Sequence, residues 1–156
     1  MKLRKAFIIL PILTGFCLLS VVQAQEKKIK REELPPEVEK TVSEQSNGAT
    51  IRGFSTEIEK GQNIYEAELI VNGHQKDISM DEHGKIIEVE EEVAMDSLPP
   101  AVKEGLRKSA GTGVIGKVES LTKNGKLVAY EADVKNENKR SEIQVGPDGK
   151  KLAHPE

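Results

Sequence analysis

Apolar and polar residues alternate along Ile64 to Val71, with Tyr65, Ala67, Leu69 and Val71 on one side and Glu66 and Glu68 on the other. Period-two alternation of this kind predicts a strand with one face on a core and the other toward water. The same stretch recurs as Tyr130-Glu131-Ala132-Asp133-Val134. Ahead of each copy stands a helical pattern opened by Leu-Pro-Pro, at Leu34 and again at Leu98, because proline suits a first helical position whose N–H has no partner. Val38 and Val42 mark the apolar stripe of the first helix, and Val102, Leu106 and Ala110 that of the second. Asn47-Gly48 and Gly111 supply the stops.

Between helix and repeat stretch, Ile51 to Glu59 reads as a strand whose apolar phase slips near Gly53, a signal for a bulge. Lys60-Gly61-Gln62-Asn63 is a turn, and Asn72-Gly73 is a strong hairpin signal, since both residues accept positive φ. Ile78 and Met80 continue on a returning strand, and Ile86 to Val89 on a fourth. The second copy follows in the same order, through Ile143, Val145 and Gly149-Lys150, with one residue added in its first hairpin. A duplication accounts for this correspondence. The predicted fold class is therefore α+β, two tandem repeats, each a helix packed on a four-stranded antiparallel β-meander. The predicted boundaries are a flexible lead-in over 25–33, a first unit over 34–90, a linker over 91–97 and a second unit over 98–153. Each unit is small enough to need the other for stability.

The first residues change the setting. Lys2, Arg4 and Lys5 precede the apolar run from Phe7 to Val22, and Val22-Gln23-Ala24 fits a signal-peptidase site. A Sec-type signal peptide over 1–24, cut after Ala24, predicts export to the periplasm or beyond, with no stable membrane insertion after cleavage. The lone cysteine, Cys17, lies within that segment behind Phe16, where lipid attachment would need a small residue, so the chain is not read as a lipoprotein. Cleavage leaves no cysteine for a disulfide, a nucleophile or a metal. It also removes three of the 23 Lys and Arg and none of the 26 Asp and Glu, leaving a formal charge of −6. Such a chain is a poor partner for nucleic acid, and Phe54, Tyr65 and Tyr130 are too few to form base-stacking platforms.

No residues assemble into a catalytic or cofactor-binding constellation. Gly111-Thr112-Gly113-Val114-Ile115-Gly116-Lys117 imitates a phosphate-binding loop. However, Val118 stands where Ser or Thr would hold magnesium, and the segment follows a helix and enters a strand, the reverse of what phosphate cradling needs. His74, His83 and His154 fall in turns or at the tail without metal-ligand spacing. The expectation is a non-enzymatic protein with no cofactor and no metal.

The Leu-Pro-Pro helix, the hairpin bearing Tyr-Glu-Ala-Glu or Tyr-Glu-Ala-Asp, and the Gly-Lys turn before a short last strand together resemble the PepSY-like domains of secreted bacterial proteins. The resemblance is nearest to the group that joins PepSY with the beta-lactamase-inhibitor-like fold. It implies an extracytoplasmic binding module that engages or restrains a protein partner, a peptidase among the candidates, through its sheet. The strand alternation adds where such a partner would meet it: Glu66, Glu68, Glu131 and Asp133 point away from the helices, with Glu57, Glu59, Asp77, Glu119 and Glu142 extending the surface. These residues are the expected docking site for a protein or peptide partner of basic character. A small-ligand or cation-binding sensor is the alternative use of the same acidic faces. The partner's identity and the oligomeric state are not legible in the residues.

Overall fold

In the computed structural model, which describes residues 26–137 and 139–156, the strands form one antiparallel sheet in sequential order. The strands are β1 (Lys27–Ile29), β2 (Thr50–Glu59), β3 (Gln62–Val71), β4 (His74–Asp81), β5 (Ile86–Glu92), β6 (Val114–Lys123), β7 (Lys126–Asn136) and β8 (Lys139–Val145). Helices α1 (Pro36–Gln45) and α2 (Pro100–Ala110) interrupt the meander after β1 and after β5. The expected signal peptide over 1–24, with Cys17 in it, lies outside the described residues. Among the described residues no helix is long and apolar enough to cross a membrane.

Local chemistry sets each element. Pro36 and Pro100 occupy the first helical positions, and α2 ends at Gly111 with φ 60°. The turns Lys60-Gly61, Asn72-Gly73 and Asn124-Gly125 all hold positive φ at both residues, which matches the right-handed twist of the strands they join. The β2–β3 register slips between Ile51 and Gly53, so the phase change in the sequence is a bulge. Gly113 leads into β6, and a Cβ there would lie 2.3 Å from the Val134 side chain, so close packing against β7 requires a glycine. The segment that imitates a phosphate loop therefore passes from helix to strand.

One sheet face carries both helices. Leu34, Val38 and Val42 pack on Phe54, Ala67, Leu69, Ile78 and Met80, and Leu98, Val102 and Leu106 pack on Val118, Ala132 and Val145. Tyr65 and Tyr130 lie half-buried in these two clusters.

The predicted pair of separate helix-plus-meander repeats is corrected by the sheet itself. Glu88 to Glu92 of β5 pair with Lys123 to Glu119 of β6, so the strands form a single continuous eight-stranded sheet. Glu91 and Glu92 read as the start of a solvated linker after Glu90, yet their backbone joins the ladder, and period-two geometry sends the side chains of Glu90, Glu91 and Glu92 alternately to the two faces. Among the described residues the second half also lacks a fourth strand: after β8 only Lys151 makes a bridge, to Val145. In place of an unstructured lead-in, Lys27–Ile29 pair with Thr56 to Phe54.

Two turns are fitted against the helices. A Cβ on Gly84 would lie 2.3 Å from the Glu37 carbonyl oxygen, and one on Gly149 would lie 2.1 Å from that of Ala101; both glycines hold positive φ. Thr41 Oγ1 donates to the Gly84 carbonyl at 2.7 Å. Gly84→Ala and Gly149→Ala should each cost about 2–4 kcal/mol in urea denaturation, because strain adds to a backbone clash. Gly73→Ala, at a turn with open space around it, should cost about 1 kcal/mol. Equal losses at all three sites would contradict the close helix–turn fit.

Candidate functional site

The face turned away from the helices is acidic, and its carboxylates oppose one another. Because side chains directly across an antiparallel ladder share a face, the register places Glu68 against Asp77, Asp77 against Glu90, Glu92 against Glu119, Glu119 against Glu131, and Asp133 against Glu142. Like charges in directly opposed positions are destabilising, and here they recur across β3 to β8.

Three lysines answer this charge. Lys28 on β1 reaches Glu68 and lies 3.0 Å from Glu26. Lys117 Nζ lies 2.7 Å from Glu119 Oε1, and Lys123 Nζ 3.3 Å from Glu88 Oε2. Amides supply further partners: Gln75 Nε2 donates to Asp77 Oδ2 at 2.7 Å, the Gln75 backbone N–H to Glu92 Oε2 at 3.1 Å, and Gln144 Nε2 to Glu131 Oε2 at 2.6 Å. Asp77 Oδ1 remains buried without a hydrogen-bond partner, the one such side-chain atom among the described residues. Buried donors and acceptors without partners are uncommon, which singles out this oxygen.

The face is also drier than an open sheet surface. Ile64, Leu121, Ala129, Ser55 and Glu119 are buried on it, Glu119 with 7% exposure. Burial, with Asp77, Glu26 and Glu68 nearby, raises the Glu66 carboxyl to about 7. Burial, with Glu119, Glu88, Glu131 and Asp77 nearby, raises Glu90 to about 7 as well. Asp77 is raised in the same direction, chiefly by burial.

Of the residues expected to dock a partner, Glu66 and Glu68 share one group with Glu26, their carboxylate oxygens within 4.8 Å of one another. Glu131 lies across from Glu119 and Gln144, and Asp133 stands farther out beside Glu142 and Gly116. The four expected residues are thus not brought together. The centre of the face is a second trio, Asp77, Glu90 and Glu119, again within 4.8 Å, contributed by β4, β5 and β6. Sequence reasoning counted Asp77 and Glu119 in the extended surface but left Glu90 as the last residue of the first unit. Its alternation with Glu88 and Glu92 was the available signal. Either trio is tight enough to surround a single cation or a single amine.

No family model matches the chain, and no curated protein matches it in sequence. Solved structures do share its fold. A DUF2874 family protein from Bacteroides ovatus superposes with a TM-score of 0.61 at 20% identity, over 76% of this chain and 84% of that one. A protein from Bacteroides eggerthii, described provisionally as periplasmic, gives 0.63 at 18% identity over 76% and 86%. A BLIP-like protein from Bacteroides fragilis gives 0.56 at 22% identity over 74% and 81%. The chain shares the fold of these proteins, one of which is described as BLIP-like.

The raised carboxyls set a pH dependence with a definite sign. Glu66 and Glu90 bind protons in the folded protein near pH 7 and in the unfolded chain only near the ordinary glutamate value of 4.5. The folded state therefore holds more protons between those limits, and stability rises as pH falls through 7 toward 4.5. After discounting for partial solvent screening, each should contribute on the order of 1 kcal/mol. Urea midpoints should increase from pH 8 to pH 5, and Glu66→Gln with Glu90→Gln should flatten the profile. A midpoint that falls over this range would contradict the burial of these groups.

Proposed function

We propose that this chain is an exported, non-enzymatic binding module whose acidic sheet face takes a basic segment of a protein partner. The observation that carries the proposal is the set of directly opposed carboxylates Glu68, Asp77 and Glu90, with Asp77 Oδ1 buried and unpartnered at its centre. A fold rarely keeps such a conflict without a compensating interaction, and a Lys or Arg side chain entering the row would offset the repulsion. Lys28 and Lys117 already do this in part within the chain. The fold shared with a BLIP-like protein supports a sheet face as the contact surface, and the leader pattern with the provisionally periplasmic neighbour supports the cell envelope as the place of action. Restraint of a peptidase, the role implied by the PepSY-like resemblance, is the partner class we favour.

Asp77, Glu90 and Glu119 also favour a second reading, in which the row holds a divalent cation, because oxygen-rich sites suit hard cations.

One experiment separates the readings. The processed chain, immobilised, should capture a specific envelope protein at low salt and release it at high salt, since screening weakens exposed charge pairs. Glu68→Gln with Glu90→Gln should weaken capture by about tenfold or more. Glu44→Gln with Glu104→Gln, an equal charge change on exposed helix positions, should leave capture unchanged. Equal loss in both variants would point to net charge and overturn the docking face. A calcium-dependent rise in melting temperature, abolished by Asp77→Asn and unaccompanied by partner capture, would establish the cation reading in its place.

A further inference from the structure

β8 ends the sheet, and only part of its outer edge is covered. Lys151 bridges Val145, the Gly146 N–H donates to the Lys150 carbonyl at 2.8 Å, and the Glu156 N–H donates to the Gln144 side chain at 2.8 Å. Beyond these contacts, Lys139 to Ile143 pair with β7 alone among the described residues. The opposite edge, β1, is only three residues long, so β8 offers the longer open ladder.

The charges along this edge follow a pattern that the single chain does not resolve. Lys135 lies directly across from Arg140, and two residues along the strands Asp133 lies directly across from Glu142. Each is a like-charge pair on the outer face, and none of the four residues enters an ion pair among the described residues. A basic pair thus sits beside an acidic pair at an edge without a further strand, where the tail residues Leu152, Ala153 and Pro155 line only a hollow beside Glu142 and Ile143.

We propose that Lys139–Ile143 is a dimerisation edge, on which a second copy of this chain adds its own β8 antiparallel, with the two-fold axis through Ser141. Inward and outward backbone groups alternate along a strand, so two copies of one edge can pair only in registers centred on a residue. Centring on Arg140 or on Glu142 sets identical charges face to face. Centring on Ile143 would place the partner's Ser141 against Val145, the position that Lys151 holds. Ser141 is the register that sets Arg140 against the partner's Glu142 and Glu142 against the partner's Arg140. The basic pair of one copy then meets the acidic pair of the other, and the repulsion within each chain is offset across the interface.

Sedimentation of the processed chain over a concentration series tests this, with far-UV circular dichroism reporting that each variant is folded. The wild type should dimerise reversibly. Arg140→Glu and Glu142→Arg should each weaken association by about tenfold or more, because each places like charges at the interface. An equimolar mixture of the two variants should recover dimers, since every facing pair is again of opposite charge. A wild type that stays monomeric throughout would overturn the proposal, as would dimers that persist in both single variants. A mixture that remains monomeric while the wild type dimerises would overturn the Ser141 register.

Discussion

The pairing of β5 with β6 is the constraint on which the rest of the molecule depends. Glu88 to Glu92 lie in register with Lys123 to Glu119, and through them the strands before α2 and those after it become one sheet. Two small helical clusters, one under α1 and one under α2, are thereby held on the same side. Neither cluster is large, and a shared sheet lets each stabilise the other's strands. The helices are fixed in turn by the turns at Gly84 and Gly149, where the backbones approach too closely for any side chain.

That same junction creates the acidic face. Were β5 to end at Glu90 and a solvated linker to follow, Glu92 and Glu119 would be separate surface charges. Paired, they set a second acidic row beside that of Glu68, Asp77 and Glu90 and bring carboxylate oxygens of Asp77, Glu90 and Glu119 within 4.8 Å of one another. Burial of Ile64, Leu121 and Ala129 among these groups reduces their hydration, which raises Glu66 and Glu90 to about 7. The molecule carries a charge conflict in the middle of the sheet face turned away from the helices. Lys28 relieves the conflict at Glu68 and Lys117 at Glu119, while Asp77 Oδ1 between them has no hydrogen-bond partner among the described residues.

What could be read from the residues was local. Leu34-Pro35-Pro36, the slip at Gly53 and the Asn72-Gly73 turn carry their geometry in one or two side chains, and each stands where its chemistry requires. The inward placement of Tyr65 and Leu69 and the outward placement of Glu66, Glu68, Glu131 and Asp133 follow from period two alone. The continuous sheet was not legible, because a run of three glutamates has the composition of a linker and only long-range pairing makes it a strand. Three residues at Lys27–Ile29 are too few to show periodicity, and the expected last strand of the second half leaves just the Lys151 bridge. The carboxylate trio needed cross-strand register, which no stretch of sequence contains.

Hydrogen exchange of the chain from Gln25 onward tests the central claim most directly, since it reads the β5–β6 ladder amide by amide. One continuous sheet predicts that the amides of Glu88 to Glu92 that donate to β6 exchange as slowly as those of the β3–β4 ladder, and that protection of the two ladders is lost together as urea is raised. Free exchange through Glu91 and Glu92, with the β2–β4 and β6–β8 amides opening at separate urea concentrations, would show two independent units and contradict the account.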